Sequence, residues 1–180
     1  MRVIAGELGG RRLAAPSGQR TRPTSDRVRE ALFAMLGPLQ GETVLDLFAG
    51  SGALGIEALS RGAARAVFVE REPAAARVLA RNLDALGIAP ERAELRRGDV
   101  LVALRRARAG AETYDLVFID PPYRLAQQWG AQLAEALPAI LAPGARVVAE
   151  SDRRAQLDLG LPASTERRYG DTSITIHSCP

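Results

Sequence analysis

The turn Gly50-Ser51-Gly52-Ala53-Leu54-Gly55 constrains this chain more than any other feature. It has the spacing G-x-G-x-x-G and stands between a short apolar run, 43–48, and an amphipathic stretch, 53–61. A strand feeding such a turn into a helix begins a parallel crossover unit. The glycines let the backbone approach a ligand at the helix N-terminus. The same alternation repeats downstream. Runs at 65–70, 93–97, 114–120 and 145–151 predict strands, and stretches at 73–86, 100–108 and 125–137 predict helices between them. Leu116, Val117, Phe118 and Ile119 stand in succession, as in a strand covered on both faces. Repeated strand–helix order predicts an α/β fold, a Rossmann-like and mostly parallel sheet with helices on both faces. The end of the chain departs from this pattern. Residues 165–169 and 172–178 flank Gly170-Asp171, a two-residue hairpin turn, so the last strand should be antiparallel.

Ahead of this body, Val28, Ala31, Leu32, Met35 and Leu36 form one helical stripe, stopped by Gly37-Pro38. Residues 1–24 are broken by Gly6, Gly9, Gly10, Pro16, Gly18 and Pro23. They read as an irregular arm or hairpin, leaving 25–180 as a single domain. The arm region is basic: Arg2, Arg11, Arg12, Arg20, Arg22, Arg27 and Arg29 stand against Glu7, Asp26 and Glu30, while the whole chain carries only +3. The chain has no lysine, so each of these cations is a guanidinium, able to grip phosphate bidentately and to stack on bases. A basic arm on a near-neutral body predicts a polyanionic partner, with those arginines as its contacts. No apolar run reaches the length of a membrane span, and the start lacks the apolar core of a signal peptide, so the expected location is the cytoplasm. A lone Cys179 and a lone His177 exclude a disulfide framework and a Cys/His metal cluster, so no metal is expected.

Glu70 ends the second predicted strand, 24 residues after Asp46, where a carboxylate can accept both ribose hydroxyls of an adenosine. Asp99, after the third strand, can accept from an adenine amino group, cap the next helix, or do both. Two cofactors fit this outline, a nicotinamide dinucleotide and S-adenosylmethionine. Asp46 stands four residues before Gly50. A carboxylate there repels a pyrophosphate but favours the sulfonium and ammonium of S-adenosylmethionine. An NAD-dependent oxidoreductase is the alternative from another class.

Asp120-Pro121-Pro122-Tyr123 follows the fourth strand. In a doubly wound sheet the first and fourth strands are neighbours, and ligands bind in the crevice beyond their carboxyl ends. An exocyclic amino group on a base is conjugated with the ring and is a poor nucleophile. Two acceptors on its N–H bonds localise the lone pair, and the Asp120 carboxylate and the Pro121 carbonyl can supply them. The prolines stiffen the segment before substrate arrives. Tyr123 offers a flat face for an unpaired or flipped base.

With both motifs, the chain resembles the class I S-adenosylmethionine-dependent methyltransferases, and more closely the bacterial 16S rRNA guanine-N2 methyltransferases of the RsmD family. Three stretches carry the resemblance: Arg22–Phe33, Asp46–Arg61 and Asp120–Tyr123. It implies a seven-stranded sheet in the order 3-2-1-4-5-7-6 with the last strand antiparallel. It implies cofactor contacts from Thr24, from Asp46, Phe48, Ala49, Gly50, Ser51 and Gly52, from Glu70 and Arg71, and from Asp99 and Val100. Asp120, Pro121, Pro122 and Tyr123 fall to the target amino group, and ribosomal RNA, naked or in an assembled or assembling small subunit, becomes the partner of a monomeric enzyme. Adenine-N6 methyltransferases also use Asp-Pro-Pro-Tyr and are the alternative within this chemistry. His177 reads as an exposed histidine, Trp129 with Leu133 and Leu137 as helix core, and Arg105, Arg106 and Arg108 as a solvated helix face.

Overall fold

The computed structural model describes residues 1–15, 25–121, 126–152 and 157–179. Seven strands form one sheet: β1 (Thr43–Leu47), β2 (Arg65–Glu70), β3 (Ala93–Arg97), β4 (Tyr114–Ile119), β5 (Leu141–Asp152), β6 (Ala163–Tyr169) and β7 (Thr172–Ser178). Their spatial order is β3-β2-β1-β4-β5-β7-β6. β1 pairs in parallel with both β2 and β4, and β4 with β5, whereas β7 runs antiparallel to β5 and β6. The order and the antiparallel last strand are those expected. Among the described residues α1 (Asp26–Leu36) precedes the sheet, and α2 (Ala53–Ser60), α3 (Pro73–Ala85), α4 (Val100–Ala109) and α5 (Ala126–Ala136) lie between successive strands, the last continued by a 3₁₀ turn, Leu137–Ile140.

Alternation along the strands feeds two cores. Val44, Phe68, Leu116, Phe118 and Val148 face α1, α2 and α3, packing with Leu32, Phe33, Ile56, Leu59 and Leu79. Leu45, Leu47, Val67, Val69, Val117 and Ile119 face the other way, onto Val100 and Leu104 of α4, Leu133 of α5 and Leu137 of the 3₁₀ turn. Each such side chain, fully buried, contributes about 1.5–3 kcal/mol relative to an exposed one. Trp129 packs at the edge of the second core and Arg105, Arg106 and Arg108 are exposed, both as expected.

Two expectations about the sheet need correction. Pro143-Gly144 does not precede β5 but lies within it. Tyr114 pairs with Leu141 and Leu116 with Arg146, so five steps of β5 stand against two of β4 and the extra residues bulge out, with Gly144 at φ 74°. A proline with no N–H to give to the ladder fits such a bulge. His177, expected to be exposed, is buried under the β6 side of the sheet, with Nδ1 3.0 Å from the Leu161 carbonyl oxygen.

The N-terminal arm is part of the fold. The Val3 N–H donates to the Arg11 carbonyl (2.9 Å), the Gly10 N–H to the Val3 carbonyl (2.9 Å) and the Leu13 N–H to the Met1 carbonyl (3.0 Å), closing a hairpin-like loop. Val3 and Leu13 are buried in the first core. Buried Glu57 of α2 accepts the Ile4 and Ala5 N–H groups at 2.7 and 3.1 Å, and Ser60 Oγ accepts the Leu8 N–H at 3.0 Å. These three arm N–H groups, which would otherwise lose their hydrogen bonds to water, are thereby satisfied by α2.

Candidate active site

The carboxyl ends of β1, β2, β4 and β5 bring four acids to one edge of the sheet. β1 delivers Asp46, 2% exposed, whose Oδ2 accepts the Gly55 N–H at 2.9 Å. This close approach of strand and helix needs the third glycine of the motif. A Cβ at Gly55 would lie 2.3 Å from the Phe68 ring and 3.1 Å from Asp46 Oδ2. Burial, partly offset by that bond and reinforced by the charge of Glu70, pushes the Asp46 carboxyl up to about 7.

Beyond Asp46 the chain turns sharply. Phe48 sits at φ 61°, a left-handed conformation uncommon for an aromatic residue, with its ring edge-on to Trp129 at 5.2 Å. Gly50 and Gly52 follow at φ 57° and 83°, and α2 starts directly after Gly52. Ala49 is tied to β2 by its N–H, 3.0 Å from the Val69 carbonyl. Glu70 braces the turn: Oε2 accepts the Gly50 N–H at 2.7 Å and Oε1 the Glu72 N–H at 2.6 Å. Both carboxylate oxygens are oriented by backbone, and each keeps a lone pair for a ligand hydroxyl.

Asp99 caps α4, with Oδ1 accepting the Leu101 and Val102 N–H groups at 2.9 and 3.4 Å. Its Oδ2 is uncommitted among the described residues, so the cap leaves an acceptor for a ligand. Val100 is buried in the second core and has only its backbone to offer, while Arg71 is exposed.

Asp120 follows β4 and Pro121 is buried beside it. Desolvation, then the charges of Glu150 and Asp46, raise the Asp120 carboxyl well above the usual carboxylate range. The residue keeps part of its surface open although protein surrounds its carboxyl group. Glu150, 5% exposed, was not singled out from the sequence. Ile119 pairs with Ala149, so the next residues, Asp120 and Glu150, stand side by side. Its signal was a lone acid after the apolar run Val147-Val148-Ala149.

Thr24, Pro122, Tyr123, Arg20 and Arg22 lie outside the described residues. Among the expected RNA contacts, Arg2, Arg11, Arg12 and Arg27 are exposed. Arg29 is not. It is fully buried, its Nη2 donating to the Arg2 carbonyl at 2.6 Å and to Asp26 Oδ1 at 2.8 Å, with Nη1 4.0 Å from Glu57. It fastens the arm to α1 and has no surface for RNA.

The set of carboxylates fits a cationic nucleoside and opposes a pyrophosphate. The family model described as conserved hypothetical protein 95 matches residues 1–178. Ribosomal RNA small subunit methyltransferase D of Haemophilus influenzae is 41% identical over 131 residues, 71% of this chain and 67% of that protein. The chain belongs to the small-subunit rRNA methyltransferase D family. YlbH of Bacillus subtilis, a candidate rRNA methyltransferase by its name, is 39% identical over 187 residues, spanning 98% of both chains. A solved structure of a hypothetical protein from Thermus thermophilus superposes with a TM-score of 0.84 at 33% identity, over 99% of both chains. Among the described residues no group of His, Cys, Asp and Glu has the makings of a metal site, and no helix is long and apolar enough to cross a membrane.

Proposed function

We propose that this chain methylates the exocyclic N2 amino group of a guanine in small-subunit rRNA, using S-adenosylmethionine, in the cytoplasm. The observation that carries the reading is the juxtaposition of Asp46 and Asp120 on the paired strands β1 and β4, close enough that the charge of one raises the other. S-adenosylmethionine, when bound, supplies a methyl group already activated on a sulfonium. The chain supplies the rest. Asp46 places negative charge beside the cationic end of the cofactor, and Glu70 and Asp99 are oriented to hold ribose hydroxyls and adenine amine. Asp120 and the Pro121 carbonyl accept the two N2 hydrogens and aim the lone pair. The raised proton affinity of Asp120 suits it to take the proton that N2 gives up on methylation. Tyr123 is assigned to stack on the base. Exposed Arg2, Arg11, Arg12 and Arg27 are assigned to RNA phosphates.

Transfer of radiolabelled methyl to naked 16S rRNA and to assembled small subunits, with nucleoside analysis, tests the reading. N2-methylguanosine is the expected product, and the substrate that takes label fixes the stage at which the enzyme acts. N6-methyladenosine, or label in neither substrate, overturns it. Asp120→Ala should lower turnover about a hundredfold or more while leaving cofactor binding in place.

A further inference from the structure

The buried face of α3 carries Ala75, Ala76 and Leu79, and then, where another apolar residue would fit, Asn82, only 4% exposed. Its amide makes three bonds. Oδ1 accepts the Ala14 N–H at 2.9 Å, and Nδ2 donates to the Ala14 carbonyl at 3.1 Å and to the Ser51 carbonyl at 2.9 Å. The partners dictate the orientation of the amide, since an N–H needs the oxygen and the two carbonyls need the nitrogen. One side chain thus grips both backbone groups of Ala14, as a neighbouring strand would, and holds the glycine loop by Ser51. Glu70 already fixes the peptide entering Gly50. Asn82 fixes the one leaving Ser51, just before left-handed Gly52 starts α2.

We propose that Asn82 is a positioning residue that couples the N-terminal arm to the glycine loop, so that the seating of the arm sets the cofactor affinity of the loop. This rests on reading the loop as the cofactor cradle and extends that reading to the arm. Asn82 stands 31 residues from Ser51 and 68 from Ala14 in the sequence, so the link exists only in the folded chain. Loss of the amide frees the Ser51 carbonyl and both Ala14 groups together. The arm has a second anchor that touches neither Asn82 nor the loop. Gly6 sits at φ 83°, and a Cβ there would lie 1.8 Å from the Ser60 carbonyl oxygen. Gly6→Ala therefore lifts the arm off α2 from its far end.

The test is calorimetric binding of S-adenosylhomocysteine to the full chain, to Asn82→Ala, to Gly6→Ala and to the double variant, with circular dichroism and thermal melts run on each. Asn82→Ala should bind about tenfold more weakly. Gly6→Ala should also weaken binding, and the double variant should be no weaker than Asn82→Ala alone, as expected when two lesions act through one link. If Gly6→Ala does not fold, Ser60→Ala replaces it, removing the hydroxyl that accepts the Leu8 N–H. A purely structural Asn82 would lower the melting temperature yet leave affinity at the wild-type value, which overturns the proposal. Additive losses, or wild-type affinity in the arm variant, overturn the coupling as well. A wild-type chain that does not bind S-adenosylhomocysteine overturns the cofactor reading and this inference with it. Wild-type binding with unaffected variants overturns the inference alone.

Discussion

Asp46 is held near neutrality by its surroundings. Burial of its carboxyl on the sheet and the charge of Glu70 raise the cost of ionising it, and the hydrogen bond from the Gly55 N–H offsets this only in part, so it is pushed up to about 7. A cationic cofactor needs the ionised form. Affinity for S-adenosylmethionine should therefore rise about tenfold per pH unit below 7 and level off above it, with a proton released on binding. Calorimetry from pH 5.5 to 8.5 in buffers of different ionisation enthalpy checks this, and an affinity flat across that range refutes it. The folded-state value lies above the unfolded one, so stability linked to this group is full below the unfolded value and is lost as pH rises through about 7. Asp46→Asn keeps an acceptor for Gly55. It should gain on the order of 1–4 kcal/mol at pH 8 and little near pH 4, while binding cofactor more weakly. Asp46, Glu70 and Asp120 were legible as candidates because each stands at or near the end of an apolar run that predicts a strand. Glu150 was not, although it too follows such a run, since its place beside Asp120 comes from strand register. Arg29 was misread because charge density along the sequence does not distinguish a guanidinium on the surface from one buried against Asp26 and Glu57.

At the scale of elements, the contact between β1, β2 and α2 makes the site possible. Gly55 allows α2 to lie against Phe68 and to donate its N–H to Asp46. Gly55→Ala forces the helix outward, since the ring of Phe68 is held from behind by a packed core. The expected cost is about 1–3 kcal/mol of stability, with a loss of cofactor affinity as the Asp46 bond lengthens. Denaturant unfolding and binding titration measure the two effects, and an unchanged affinity would detach the loop from the helix packing. The helices and parallel strands were readable because period and caps coincide: Pro73 opens α3, Asp99 caps α4 and Gly37 ends α1. The bulge in β5 was not, because Pro143-Gly144 is a turn signal by itself and becomes a bulge only when Tyr114 claims Leu141 as a partner. The burial of His177 depends likewise on β6 and the Leu161 backbone covering it.

For the whole molecule, the arm is built into the fold by side chains of α2 and α3. The resemblance carried by the motifs fixed the sheet order, but the arm's docking had no signature until Glu57, Ser60 and Asn82 were seen to accept its backbone. Those three side chains satisfy the polar backbone of the arm from the body, which leaves Arg2, Arg11 and Arg12 on the surface. Arg12 is exposed and cross-strand from Arg2, on a face open to a polyanion. Arg29 is enclosed by Asp26, Glu57 and the Arg2 carbonyl. Arg12→Ala should therefore weaken RNA binding and reduce the slope of log affinity against log salt by about 0.7–0.9, the share of one phosphate contact, with stability unchanged. Arg29→Ala should leave the slope alone and cost on the order of 3 kcal/mol of stability, because Glu57 loses a buried cation and the arm loses its tie to α1. Filter binding across a salt series and denaturant unfolding on both variants separate the two roles. An equal loss of slope in both would mean that Arg29 reaches RNA after all, which its burial forbids as long as the arm stays seated.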